Sequence, residues 1–252
     1  KNLNTEKESG KSEDEKAAGI GASILVGSIV YSIVISFLSI ITTDVASEKG
    51  SRVLEVLLAS VKPSTHFLAK ITGTYLLAFT QVILIFGVQI ILLLIVNGGE
   101  KWGKVADIVD HLSISYVLYT LAYLLLSIFL FLIMGALFGS LVSKVEEAGQ
   151  TMMPAMFVGM AGFYVLLSGL SNPDTLLVKV FSFIPFTTVM VMPLRIGATD
   201  LLPAEPLIAL IVLIVTVIVL FYISFSFYKR SVLTYSSGGV IQKIKTVLKV
   251  TT

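Results

Sequence analysis

The sequence predicts an all-α, polytopic membrane protein, and three observations carry that prediction. Hydrophobic residues fill 56% of the 252 positions and charged residues only 13%, against roughly 25% charged in an average soluble domain. Mean hydropathy is +0.94. The charges are clustered and leave uncharged runs of about 20 residues or more, the length an α-helix needs to cross a bilayer core.

Taken in order, the chain opens on "KNLNTEKESGKSEDEK". Residues 1–17 are polar, mixed in charge, and read as a solvated linker. The first residue is Lys1, with no signal peptide behind it. The expectation is a chain that begins partway through a longer protein.

Five stretches qualify as spans, at about 18–42, 70–96, 113–142, 150–170 and 206–228. Together with their loops they make a membrane domain over 18–230. A sixth uncharged stretch, Val180–Leu194, is too short and carries Pro185 and Pro193. It reads as a re-entrant or interfacial piece within 173–197. Two short helix-like segments meet there at "IPFTT". A broken backbone at membrane depth is tolerated where protein covers it or where it lines a water-filled cavity. The reading stays open between an outer gate, built on Pro185, Phe186, Pro193 and Arg195, and a plain outer loop.

Orientation follows from basic residues. The 44–69 and 143–149 loops and the C-terminal tail hold Lys49, Arg52, Lys62, Lys144, Lys229, Arg230, Lys243, Lys245 and Lys249. The opposite loops hold Lys101, Lys104, Lys179 and Arg195. The first set is expected in the cytoplasm and the N-terminus of the chain outside, in a multi-pass plasma-membrane protein. The tail, 231–252, is open between a basic amphipathic helix on the anionic inner leaflet and a frayed terminus.

The segment between the first two spans, "SEKGSRVLEVLLASVKPSTHFLAK", is too charged to enter lipid. Seven charged residues fall from Asp44 to Lys70, and each costs about 2.5–3.5 kcal/mol at a helix centre in the bilayer. Val53, Leu54, Leu57, Leu58 and Val61 share one helical face, with Glu48, Arg52, Glu55 and Lys62 on the other. A two-faced helix over 44–62, ended by Pro63, is expected on the cytoplasmic surface. On physics alone it is either an interfacial anchor or a docking surface.

Several chemistries are excluded or left without support. With no cysteine there is no disulfide framework and no thiolate site. "GGEKWGKV" mimics phosphate-loop spacing at Gly98, Gly103 and Lys104, but Val105 stands where a magnesium-binding Ser or Thr belongs. The two histidines, His66 and His111, fall on opposite sides of the membrane in this topology. No catalytic residue, metal site or cofactor site is expected on this chain, and no nucleic-acid partner. Softer polar features remain. Ser28, Ser32, Ser36 and Ser39 form a stripe on the first span, Gln81 and Gln89 lie on the second, and Gly135 and Gly139 form a small-xxx-small pair on the third. These are open between helix packing and, for Ser28, Ser32, Ser36, Gln81 and Gln89, a translocation surface. Met152, Met153, Met156 and Met160 on the fourth span fit either core filling or a mobile helix.

Two passages resemble one family. "TTDVASEKGSRVLEVLLASVKPSTHFLAKI" resembles the cytoplasmic coupling segment of the type-2 ABC exporter permeases, in the branch that holds the sodium-extrusion permease NatB and the YhaP-type proteins. "FSFIPFTTVMVMPLRI" resembles the extracellular re-entrant helices of that branch. With the span order, the resemblance covers about residues 19–230. It implies six spans per permease, so that this chain holds spans two to six. It also implies a coupling helix, here Glu48, Arg52, Val53, Glu55, Leu57 and Val61, docked in a groove of a separate ABC ATP-binding subunit. ATP and magnesium would be bound there, not on this chain, and a second permease copy or homologue would complete a dimer. The implied function is export of sodium, a drug or peptide, or lipid. The alternative is a permease-like sensor or mechanotransmission subunit that moves no substrate.

Overall fold

In the computed structural model the described residues are 11–51, 53–95, 103, 106, 109–142 and 144–231, with the side chains of Leu54, Glu55 and Leu93 outside that set. Arg52, Gly98, Lys101, Trp102, Lys104 and the tail after Ser231 also lie outside it. Among the described residues the regular structure is entirely helical: α1 Glu13–Gly50, α2 Val53–Ser60, α3 Pro63–Ile95, α4 Ile114–Leu141, α5 Ala148–Gly169, α6 Leu176–Phe183, α7 Pro185–Ala198 and α8 Ala204–Ser231. Five helices, α1, α3, α4, α5 and α8, are long and apolar enough to cross a membrane.

The helix ends have local causes. Ser12 caps α1 in a reciprocal box: its hydroxyl accepts from the Glu15 amide at 3.2 Å, and the Glu15 carboxylate accepts from the Ser12 amide at 2.8 Å. The helix therefore starts inside the stretch expected to be linker. Pro63 opens α3, where a missing N–H costs nothing, so α3 begins seven residues before the expected span (70 − 63). Ser113 caps α4 through the Tyr116 amide.

α1, α4 and α8 run one way, and α3 and α5 run the other. Ser23 meets Tyr116 near the starts of α1 and α4, Lys49 meets Ser140 and Ser231 at the ends of α1, α4 and α8, and His66 at the start of α3 meets Tyr228 at the end of α8. Glycines let the helices close. A Cβ at Gly139 would lie 2.5 Å from the Thr42 carbonyl oxygen, and one at Gly135 would meet Leu38, Ile41 and Thr42, so α4 lies directly against α1.

α6 and α7 form the broken piece foreseen at "IPFTT"; α7 lies inside the bundle, while α6 is largely exposed with Val178 and Ser182 turned inward. Thr187 to Ala198 is buried without interruption, packed by α1, α4, α5, α6 and α8. The break at Ile184 frees backbone carbonyls in an apolar setting. Thr187 Oγ1 donates to Phe181 O at 2.6 Å and Thr188 Oγ1 donates to Ile184 O at 2.7 Å. The Thr187 hydroxyl thus supplies a donor to the Phe181 carbonyl at the break, while Ile184 O also accepts the Thr187 and Thr188 amides, each at 2.9 Å. At its far end α7 touches α1 backbone to backbone: a Cβ on Gly19 would lie 2.5 Å from the Gly197 carbonyl carbon.

Candidate functional site

Two polar clusters and one groove stand out, one cluster at each end of the bundle. The end that bears α2 is the richer. α1 does not stop at Asp44, where a separate surface helix was expected to begin; it continues to Gly50, and α2 is an eight-residue helix, Val53–Ser60. Glu48 therefore does not share an exposed polar face with α2. It sits in the last turns of α1 and faces α3. The reason is pairing. Lys70 Nζ lies 2.6 Å from Glu48 Oε1 and 2.6 Å from Asp44 Oδ2, and His66 Nε2 lies 3.2 Å from Glu48 Oε2. The other ring nitrogen of His66, Nδ1, is 2.8 Å from the Tyr228 hydroxyl on α8.

Beside this chain of groups lies Lys49, only 1% exposed. Its ammonium donates to Ser140 O at 2.7 Å and to Ser231 O at 2.6 Å, and the two serine hydroxyls lie 2.6 Å apart. A cation placed on the carbonyl ends of two helices is favoured by both hydrogen bonding and helix dipoles. Phe67 packs on Phe221, Phe225 and Tyr228 with ring centroids 5.9, 5.7 and 4.9 Å away. α2 itself barely joins this packing. Leu58 is drawn into the core, while Val53, Leu57 and Val61 are exposed and Val56 is 75% exposed. Arg52 and the Glu55 side chain lie outside the described residues.

At the α7 end, Arg195 is not in a loop, where its charge had placed it. It lies in α7, 2% exposed. It donates to Glu205 Oε2 at 2.7 Å and to Ser182 Oγ at 2.9 Å, and it stacks 5.9 Å from the centre of the Phe183 ring. It thereby ties α6 and α8 to α7, and the burial of its charge is offset by a charge-assisted bond. Pro193 is buried, and Pro185 and Phe186 are half-buried, with the Phe186 ring edge-on to Phe131. Lys11, from the segment before α1, donates to Ile196 O and to Thr199 O (2.7 Å), the carbonyl end of α7. Burial lowers the pKa of Lys11 below the usual lysine value, against the opposing pull of Asp200 and Glu15. A cavity of about 720 Å³ opens beside it, lined by Glu15, Asp200, Tyr119, Ser113 and Pro206 among others.

The groove lies on the flank of α1 and α5. It measures about 460 Å³ and is lined by Tyr31, Met152, Met153, Met156, Phe157 and Met160, with Glu146 and Gln150 at one end. Ser28, Ser32 and Ser36 are exposed on α1, and Ser28 and Ser32 bracket Tyr31 within one helical turn. Gln81 and Gln89 are exposed on α3. Sequence reasoning missed Asp44, Lys49, His66, Lys70 and Tyr228 as a cluster. A signal was present: acids at Asp44 and Glu48, then bases at His66 and Lys70, each pair at i,i+4 and set on either side of one loop.

Five membrane-length helices, a short helix slung from one end and a broken helix at the other define a multi-pass helical membrane protein. The chain belongs to the ABC-2 transporter family, in its YhaP-like branch: the family model described as ABC-2 family transporter protein matches residues 1–226. It is 33% identical over 245 residues to the Bacillus subtilis (strain 168) protein described as uncharacterized protein YhaP, covering 96% of this chain and 58% of that one. It is 22% identical over 224 residues to uncharacterized protein MJ1024 of Methanocaldococcus jannaschii, covering 86% of this chain and 51% of that one. The chain thus spans a little over half the length of these relatives. No solved structure matches it.

Proposed function

We propose that this chain is the membrane-embedded part of an ATP-driven exporter, with α2 docked on a separate ATP-binding subunit at the cytoplasmic face. The observation that carries the reading is the exposed apolar side of α2. Val53, Val56 and Leu57 lie open on a helix set beyond the span ends, with Val61 exposed just after it, and a cluster of bare apolar side chains in that position fits a partner groove. The basic-residue asymmetry supports the same orientation. A second copy of the permease is expected across the exposed serine stripe of α1, with the methionine-lined groove beside it. That groove favours an amphipathic organic substrate over sodium, since thioethers and aromatic rings are poor ligands for a hard cation.

The test uses the full-length permease with its cognate ATP-binding subunit. Val56→Asp with Leu57→Asp is expected to release the ATPase in co-purification, at least ten-fold in retained subunit for about 1.4 kcal/mol or more lost, while the permease still inserts. Undiminished ATPase retention by that double variant would return α2 to a lipid-surface anchor.

A further inference from the structure

The reading of α2 as a docking helix leaves open how its motion enters the bundle, and the α2 end answers that. α2 packs on α1, and among its described side chains Leu58 alone reaches the core. A load on α2 therefore passes mainly through the two ends of its loop, the last turns of α1 and the first turns of α3. Those ends are bound to each other by Lys70, held at 2.6 Å by both Asp44 and Glu48, and by His66 on Glu48. Several side-chain connections beside that knot reach α8, although α1 itself packs mainly on α4, α7 and α5. His66 reaches Tyr228, Phe67 packs in the aromatic cluster of Phe221, Phe225 and Tyr228, and Lys49 bonds Ser231 along with Ser140. α5 packs directly on α1, with the Tyr31 and Phe163 rings stacked 5.0 Å apart, and also on the hairpin. Gly162 and Gly169 rest on Thr187, Val178 and Leu194 of the α6–α7 hairpin, and the start of α5 meets the knot's neighbourhood through the small apolar contact of Ala148 with Ala46 and Val142.

We infer that the Asp44–Glu48–Lys70–His66–Tyr228 chain is the transmission element of this permease, and that it couples α2 to α8. This rests on α2 docking an ATPase. Short charge-assisted bonds suit the task, because they resist both stretching and reorientation in a setting partly shielded from water. These five are positioning residues; none is asked to touch substrate.

The chain has no cysteine, so spin labels can be placed at Tyr222→Cys on α8 and Met153→Cys on α5, both exposed. In the assembled complex, trapping the ATPase with ATP and vanadate is expected to shift the distance between these labels. Lys70→Met and Tyr228→Phe should each reduce that shift by roughly two-fold or more, with the ATPase still bound. Lys70→Arg, which keeps a cation between Asp44 and Glu48, should retain it, which a loss of packing alone would not predict. Tyr228→Phe removes a single oxygen, so it reads out the chain even if Lys70→Met fails to fold. An unchanged shift in Tyr228→Phe and in any folded Lys70→Met, or no shift in the unmodified complex, overturns the inference while leaving the docking reading intact. Failure of the unmodified permease to retain any ATP-binding subunit overturns both.

Discussion

Both ends of the bundle use a lysine to hold the carbonyl end of a helix, and the two lysines are embedded very differently. Lys49 is sealed inside and joins three long helices, with Ser140 and Ser231 as its acceptors. Lys11 is half-buried at the rim of a large open cavity and holds the end of one short helix, α7. The acid–base pairs beside them differ in the same way. Asp44, Glu48, Lys70 and His66 join two long helices, α1 and α3, across α2, whereas Arg195 and Glu205 join the short α7 to the start of α8. The α2 end ties several long helices together, and the α7 end holds one short helix in place.

Breaking the sealed end should have the largest effect. Lys49→Met strands the carbonyls of Ser140 and Ser231 in a buried site, for a loss of about 3 kcal/mol. A fall in the detergent-solubilised melting temperature larger than for any single change at Lys11 would confirm the contrast. Next comes the backbone contact at the α7 end. Gly19→Leu puts a side chain where the Gly197 backbone already lies, and neither backbone can yield cheaply. The expected loss is about 2 kcal/mol, and a single-cysteine reporter at buried Met190 should become reactive to maleimide. A protected Met190→Cys in the Gly19→Leu background would show that α7 is not seated through that contact.

The smallest effect belongs to Lys11. Lys11→Gln should change stability by less than about 1 kcal/mol near neutral pH, because the site is half open to water. Its pH dependence carries the sharper information. The folded-state pKa lies below the ordinary 10.5, so the folded chain gives up this proton before the unfolded chain does. Stability from this group therefore rises as pH increases between the folded and unfolded values, and is lowest below the folded value. Melting temperatures compared at about pH 8 and about pH 10 should show that rise in the parent and not in Lys11→Gln.

The spans were legible because partition into a bilayer is a local property: twenty uncharged residues cross whatever surrounds them. Gly135 and Gly139 were legible as small residues at helix-packing spacing. Where helices end was less so, since the ends answer to distant partners. α1 runs on past Asp44 because Glu48 finds Lys70 and Lys49 finds carbonyls 91 and 182 residues away. Arg195 was placed in a loop because an arginine in a span is expensive; the pairing that offsets that expense, with Glu205 ten residues on, exists only once α7 has folded inward. The serine stripe shows its period in sequence, but a period says nothing about which neighbour it faces.

The buried seat of α7 also bears on how such a chain is made. Fourteen residues reach about 21 Å as a helix, so α7 cannot be laid into the bilayer as a span of its own. Its seat includes Gly19 from near the start of the described chain and Glu205 from beyond its own end. A ribosome that has finished α7 has not yet made the last wall of the socket that α7 fills. The seat of α7 is therefore complete only once α8 has emerged.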